Sequence, residues 1–80
     1  MHYVYIIKAI NFPDLTYIGY TTNLEARLQT HNSGGSEFTS EYMPWKLMWC
    51  CMFNNKYKAL EFEQYLKSGS GKSFLRKRLL

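Results

Sequence analysis

The sequence predicts a mixed α+β domain, and three observations carry that expectation. Three segments, Tyr3 to Ala9, Thr16 to Tyr20 and Trp45 to Phe53, are dense in β-branched and aromatic residues, as strands are. Three others, Thr22 to Asn32, Lys56 to Ser68 and Lys72 to Leu80, place apolar residues at helical spacing between capping and breaking residues. Eighty residues leave room for one domain, expected over residues 1–80, with no internal repeat or linker. A core this small buries only ~60% of the surface the unfolded chain exposes. The large aromatic share, with seven tyrosines, is expected to compensate by burying a large area at each side chain.

The first strand, Tyr3 to Ala9, is followed by Asn11-Phe12-Pro13-Asp14, residues that suit a turn because proline fixes φ while asparagine and aspartate tolerate turn geometry. The second strand, Thr16 to Tyr20, then closes a hairpin. Tyr5 and Tyr17 can share one face of it, but a slip of one residue would separate them. Thr22-Asn23-Leu24-Glu25 fits a capping box, so a helix is expected to start at Thr22. Asn32-Ser33-Gly34-Gly35 is a suitable stop. On that helix Leu24 and Leu28 define the buried stripe, and Arg27 and His31, one turn apart, lie along its edge.

Gly34 to Met43 reads as a polar loop, either beside a ligand or simply connecting. The nearly continuous apolar run Trp45 to Phe53 suits a central strand covered on both faces, with Cys50 and Cys51 as buried, reduced thiols. Asn54-Asn55 can cap a long helix, Lys56 to Ser68, whose apolar face holds Ala59, Phe62 and Leu66. Glu63 sits at the edge of that face and Glu61 well away from it. Ser68-Gly69-Ser70-Gly71 is expected to break the chain before a basic amphipathic helix anchored by Phe74, Leu75, Leu79 and Leu80.

The charge is unevenly placed. Net charge is +4, and from Lys67 onward there are five basic residues and no acid. Lys67, Lys72, Arg76 and Lys77 are therefore candidates for binding a nucleic-acid backbone, although basic residues also simply complement helix C-termini. Other function classes are excluded. The string Gly69-Ser70-Gly71-Lys72-Ser73 has Leu66 where a Walker phosphate loop needs its first glycine, so no nucleotide triphosphate is expected. His2 and His31 have no cysteine or carboxylate at zinc-ligand spacing. No apolar run is long enough to span a bilayer and no signal peptide is evident, so a cytoplasmic protein without a membrane partner is expected. Glu63 has two readings: an i,i+4 ion pair with Lys67, or the single carboxylate of a hydrated Mg²⁺ or Mn²⁺ site.

The ordered set of Tyr3-Val4-Tyr5, then Tyr17-Ile18-Gly19-Tyr20-Thr21-Thr22-Asn23-Leu24 leading into Arg27 and His31-Asn32-Ser33-Gly34, then Glu63-Gln64-Tyr65-Leu66-Lys67-Ser68-Gly69, resembles the GIY-YIG nuclease family over nearly the whole chain. It is most similar to small stand-alone members that resemble the nuclease domain of bacterial excision repair. The resemblance implies a three-stranded antiparallel sheet flanked by helices, and a metal-dependent DNA endonuclease acting in repair or recombination. It implies Tyr5, Tyr17, Arg27, His31 and Glu63 as catalytic residues and one Mg²⁺ or Mn²⁺ held by Glu63. Tyr5 or His31 would be the base. Tyrosine ionises near pH 10, so Tyr5 would need its pKa depressed to act, whereas His31 would not.

Two positions depart from the family pattern. Tyr3 stands where the first motif has glycine, and Leu66 to Leu80 holds no counterpart of a late asparagine, leaving Ser68 or Ser70 in that region. Larger relatives carry a separate DNA-binding domain, so a protein partner is expected to supply specificity here. The alternative function is a non-catalytic nucleic-acid-binding module, and a third reading is a protein-interaction domain using the aromatic surface.

Overall fold

The computed structural model describes residues 1–80. The elements run β1 (His2–Ala9), β2 (Thr16–Thr21), α1 (Leu24–Asn32), α2 (Glu37–Ser40), β3 (Trp45–Phe53), α3 (Lys56–Lys67) and α4 (Gly69–Arg78). The three strands form one antiparallel sheet in the order β2-β1-β3, the expected α+β architecture.

β1 is the central strand, and Val4 to Ile7 are all fully buried. Successive side chains on a strand point to opposite faces, so β1 feeds two cores. Val4 and Ile6 pack with Ala59 and Leu66 of α3 and Leu75 of α4. Tyr5, Ile7 and Ala9 pack with Trp45, and Leu24 and Leu28 of α1 close that side. Helices therefore cover both faces of a narrow sheet. No helix is long and apolar enough to cross a membrane.

The hairpin register places Tyr5 opposite Gly19 and Ile7 opposite Tyr17. Tyr5 and Tyr17 consequently lie diagonally on one face, which settles the question the sequence leaves open.

Four expectations are corrected. β3 is an edge strand, because β1 already has β2 on its other side. Its outer residues Leu47, Met48 and Met52 are exposed, and so is Cys50, while Cys51 is half-buried. An apolar run cannot tell a central strand from an edge strand that has only one covered face.

Helix α1 is capped by Asn23, not Thr22: the Asn23 side chain accepts from the Ala26 N–H at 3.1 Å, and Thr21 Oγ1 accepts from the Asn23 N–H at 3.1 Å. Asparagine is as strong a cap as threonine, and Glu25 still sits in the first turn, where the helix dipole favours an acid. The expected loop 34–43 contains the short helix α2.

The fourth correction concerns the last break. Ser68 alone ends α3 and caps α4, its hydroxyl accepting from the Gly71 N–H at 3.1 Å. Gly69 to Gly71 therefore form the first turn of α4. Glycine is required at position 71 because a Cβ there would overlap the Tyr65 carbonyl of α3.

Candidate active site

The site begins with a space left by a missing side chain. The Tyr5 ring crosses from central β1 over its partner Gly19 on β2, and a Cβ at Gly19 would overlap the phenol. The Tyr5 hydroxyl thus reaches over β2 to meet α1.

Two residues of α1 receive it. Arg27 Nε donates to the Tyr5 hydroxyl oxygen at 3.3 Å, and His31 Nε2 lies 2.7 Å from the same atom. Four residues separate Arg27 and His31, one helical turn, so both face one point. The other imidazole nitrogen, Nδ1, lies 2.8 Å from Thr39 Oγ1 on α2. Tyr17 stacks edge-on to the His31 ring with centroids 5.0 Å apart and sits 6.5 Å from the Tyr5 ring. Tyr5, His31 and Thr39 have no solvent exposure, and no buried side-chain polar atom lacks a partner.

This setting decides the protonation states. Burial raises the Tyr5 pKa above the ordinary phenol value; the Arg27 hydrogen bond and charge act against that rise, while the charges of Tyr17 and Glu63 add to it. Burial, followed by the Arg27 charge, lowers the His31 pKa. At neutral pH the cluster is therefore a neutral phenol against a neutral imidazole with a guanidinium beside them. Tyr5 does not acquire the depressed pKa that a lone tyrosine base needs.

Both shifts make folding pH-dependent. As pH falls below the ordinary imidazole value of 6.5, His31 in the unfolded chain takes up a proton while the folded one resists. Stability should therefore drop from pH 6.5 downward until the folded imidazole titrates. Above the ordinary phenol value of 10.0, the unfolded Tyr5 ionises first, so stability should drop again. Urea midpoints measured between pH 5 and 7.5 test the acid limb, which should flatten in His31→Gln; an unchanged slope in that variant would contradict the assignment.

A groove of about 830 Å³ opens beside the cluster, with Tyr17 in its wall. Its charged lining is Lys8, Lys67, Lys72, Arg76 and Asp14, and Ile18, Phe38, Leu75 and Leu80 give it an apolar component. Three of the four basic candidates thus line one groove. Lys77 is exposed on α4 and does not line it, because 76 and 77 are about 100° apart around a helix.

Glu63 stands on α3, near enough for its charge to act on the Tyr5 phenol. Its side chain is 13% exposed, and Oε2 meets Lys67 Nζ at 3.4 Å. The ion pair expected from spacing is thus present, and it does not preclude the metal reading. No three ligating side chains gather anywhere in the fold. Glu63 does not itself line the groove, but its partner Lys67 does. A single, mostly shielded carboxylate in that position suits a hydrated Mg²⁺ or Mn²⁺, which uses one or two protein carboxylates and completes its shell with water and phosphate.

One residue of the groove lining and one of the buried cluster carried no signal in the sequence. Lys8 reaches the groove from the end of β1, far in sequence from the other basic residues, and Thr39 was one polar residue among many in a presumed loop. Asn32, in contrast, stood in a recognisable string. Its side-chain amide donates to the Trp45 carbonyl at 3.0 Å and its Oδ1 accepts from the Trp45 N–H at 2.6 Å, tying the end of α1 to the start of β3.

Comparison with known proteins agrees with the fold and assigns the family. The family model for the GIY-YIG catalytic domain matches residues 1–78. A UPF0213 protein from Staphylococcus haemolyticus is 43% identical over 70 residues, spanning 86% of this chain and 83% of its own. One from Bacillus licheniformis is 38% identical over 73 residues, spanning 90% and 73%. The solution NMR structure of a UPF0213 protein from Bacillus halodurans superposes with a TM-score of 0.56 at 33% identity, covering 95% of this chain and 82% of that one.

Proposed function

Because the chain belongs to the GIY-YIG family of nucleases, we propose that it is a divalent-metal-dependent DNA endonuclease that hydrolyses phosphodiester bonds in repair or recombination. The observation that supports this most is the hydrogen-bonded convergence of Tyr5, Arg27 and His31, with Tyr17 packed on His31 and reaching from that cluster into the wall of a basic groove.

The residues divide the work by depth. The basic lining of the groove holds the nucleic-acid backbone by charge. Tyr17 and Arg27, both half-exposed, are the outermost members of the cluster and meet the phosphate first. Arg27 offsets charge that grows on the phosphate oxygens in the transition state, which is the term that usually dominates such catalysis. Tyr5 lies one layer in and His31 behind it, both without solvent exposure, so a water admitted past Tyr17 and Arg27 as DNA binds would give its proton to the Tyr5 oxygen while the phenol proton passes to His31 Nε2, 2.7 Å away. This pairing removes the need for a depressed tyrosine pKa, since no free phenolate has to accumulate. Glu63 is the residue that holds the metal. When bound there, Mg²⁺ or Mn²⁺ supplies further positive charge for the phosphate and support for the leaving oxygen.

The reading is tested by incubating supercoiled plasmid and branched DNA with the protein and either metal. Wild type should nick, and Glu63→Gln should lose on the order of 100-fold or more, beyond the 10–100-fold typical of groups one shell further out. A variant as active as wild type would rule out the metal role. The groove also supports a second reading, a module that binds nucleic acid without cleaving it. That reading requires salt-sensitive binding that weakens in Arg76→Gln, with no product under either metal.

A further inference from the structure

We propose that Thr39 is a positioning residue for the Tyr5–His31 pair: its hydroxyl oxygen accepts from His31 Nδ1–H and so holds the imidazole in the one tautomer whose Nε2 can take the Tyr5 proton. The inference rests on the nuclease reading for its consequence, but not for its geometry.

The argument is an accounting of protons around buried atoms. Arg27 Nε–H donates into the Tyr5 oxygen. A guanidinium has donors only, so the phenol must place its own O–H elsewhere. The other atom bonded to it is His31 Nε2 at 2.7 Å. If Nε2 carried a hydrogen, it would donate to the phenol and leave the phenol proton without an acceptor in a fully buried site. A buried donor left unpaired costs about 1–3 kcal/mol. The Nδ1–H tautomer in turn leaves the Thr39 hydroxyl proton unplaced, but the phenol, with Arg27 donating to its oxygen, is a far stronger donor than an aliphatic hydroxyl and has first claim on the imidazole lone pair. Nε2 is therefore bare, the imidazole proton is on Nδ1, and Thr39 Oγ1 at 2.8 Å is its acceptor.

The same contact serves the proton transfer. When the phenol proton moves to Nε2, the imidazolium has two N–H groups. One points back to the Tyr5 oxygen and the other remains on Thr39, so neither is left bare. A valine at position 39 fills similar volume but accepts nothing.

The backbone around Thr39 is fixed for this task. Its carbonyl accepts from Trp45 Nε1 at 2.8 Å, and Trp45 is itself held by the Asn32 clamp. Thr39 is thus tied at its side chain to α1 and at its carbonyl to β3. This gives the short helix α2 a role, and it explains why a threonine within a polar segment has no solvent exposure.

The test uses the whole chain labelled with ¹⁵N-histidine. Long-range ¹H–¹⁵N spectra report each histidine tautomer directly, without DNA. Wild-type His31 should show the Nδ1–H form at pH 7.5, Thr39→Ser should keep it, and Thr39→Val should move it toward the Nε2–H form. The Nε2–H form in wild type overturns the proposal with no variant needed, which also covers the case of Thr39→Val failing to fold. An unchanged tautomer in folded Thr39→Val overturns it equally.

Cleavage assays then follow. Thr39→Val should lose about 10–100-fold in kcat, the range typical of a partner that orients a functional histidine, with KM for DNA unchanged. Thr39→Ser should recover most of that loss, and a folded Thr39→Val with wild-type kcat overturns the catalytic consequence. If wild type shows the Nδ1–H tautomer and cleaves no DNA, the nuclease reading fails and the tautomer assignment stands.

Discussion

Gly19→Ala should destabilise the domain by about 1–3 kcal/mol, the usual cost of forcing extra volume into a packed site, and should remove most DNA cleavage. The two losses have one origin. A methyl group at position 19 would occupy the place of the Tyr5 hydroxyl and its ring carbon. Tyr5 cannot withdraw along its own strand, because it is fully buried between Ile7 and Tyr3 on the central strand of the sheet. The ring must rotate away, which breaks the bonds to Arg27 Nε and His31 Nε2 together.

Gly69→Ala is the matching control. Nothing lies within 4 Å of a Cβ there, and alanine is the better helix former, so stability should stay level or rise by up to about 1 kcal/mol. Urea unfolding of the two variants, with the His31 ring resonances followed by NMR, makes the comparison. A Gly19→Ala protein with wild-type stability and unshifted His31 signals would show that the phenol does not lie over that glycine.

The same packing explains which parts of the fold the sequence made legible. Tyr3 to Ala9 announced a strand because its first five residues are all branched or aromatic, and the three-stranded antiparallel sheet was what the family resemblance implied. The central place of β1 was hidden, since Trp45 to Phe53 is at least as apolar and competes for it. What decides the order is which residues find a cover: α3 and α4 lie over Val4 and Ile6, whereas Leu47, Met48 and Met52 remain exposed. Pattern within one segment carries no information about that.

Caps were misplaced for a similar reason. Thr22 and Asn23 are adjacent and both competent, and the choice is made by Thr21, which takes the Asn23 N–H.

The site was legible as far as it lay within motifs. Tyr5, Tyr17, Arg27 and His31 converge, and Lys67, Lys72 and Arg76 share the groove that Tyr17 borders. Lys77 does not join them, because a run of like charges on a helix spreads around the axis. Thr39 and Lys8 were invisible, since each acts through tertiary approach: Thr39 by the docking of α2 against α1, Lys8 by the end of β1 reaching the groove. The two residues offered as alternative bases are hydrogen-bonded to each other. Burial, which a sequence shows poorly, then joined them into one unit by raising the phenol and lowering the imidazole.

Arg27→Ala should lower kcat on DNA by about 10²–10³-fold, the range for removing one group that stabilises transition-state charge. Its pH profile should distinguish that loss from a folding defect. Burial is the larger cause of the depressed His31 pKa and the Arg27 charge the second, so removing the charge should let the imidazole titrate at higher pH, though not at its ordinary value. In the proposed mechanism a neutral His31 receives the phenol proton, so the acid limb of the rate profile should move upward. The variant is then most impaired at low pH.

For Tyr5 the sign is opposite in effect: Arg27 acts to lower the phenol pKa, and without it the phenol becomes a still weaker acid. Arg27→Lys separates charge from geometry. An ammonium restores the positive charge and should return the acid limb toward its wild-type position. It lacks the rigid planar fork that lets Nε hold the phenol while the other nitrogens face a phosphate, so kcat should stay well below wild type. A Lys variant with full activity would mean that Arg27 acts as a point charge alone, and that its 3.3 Å bond to Tyr5 has no part in catalysis.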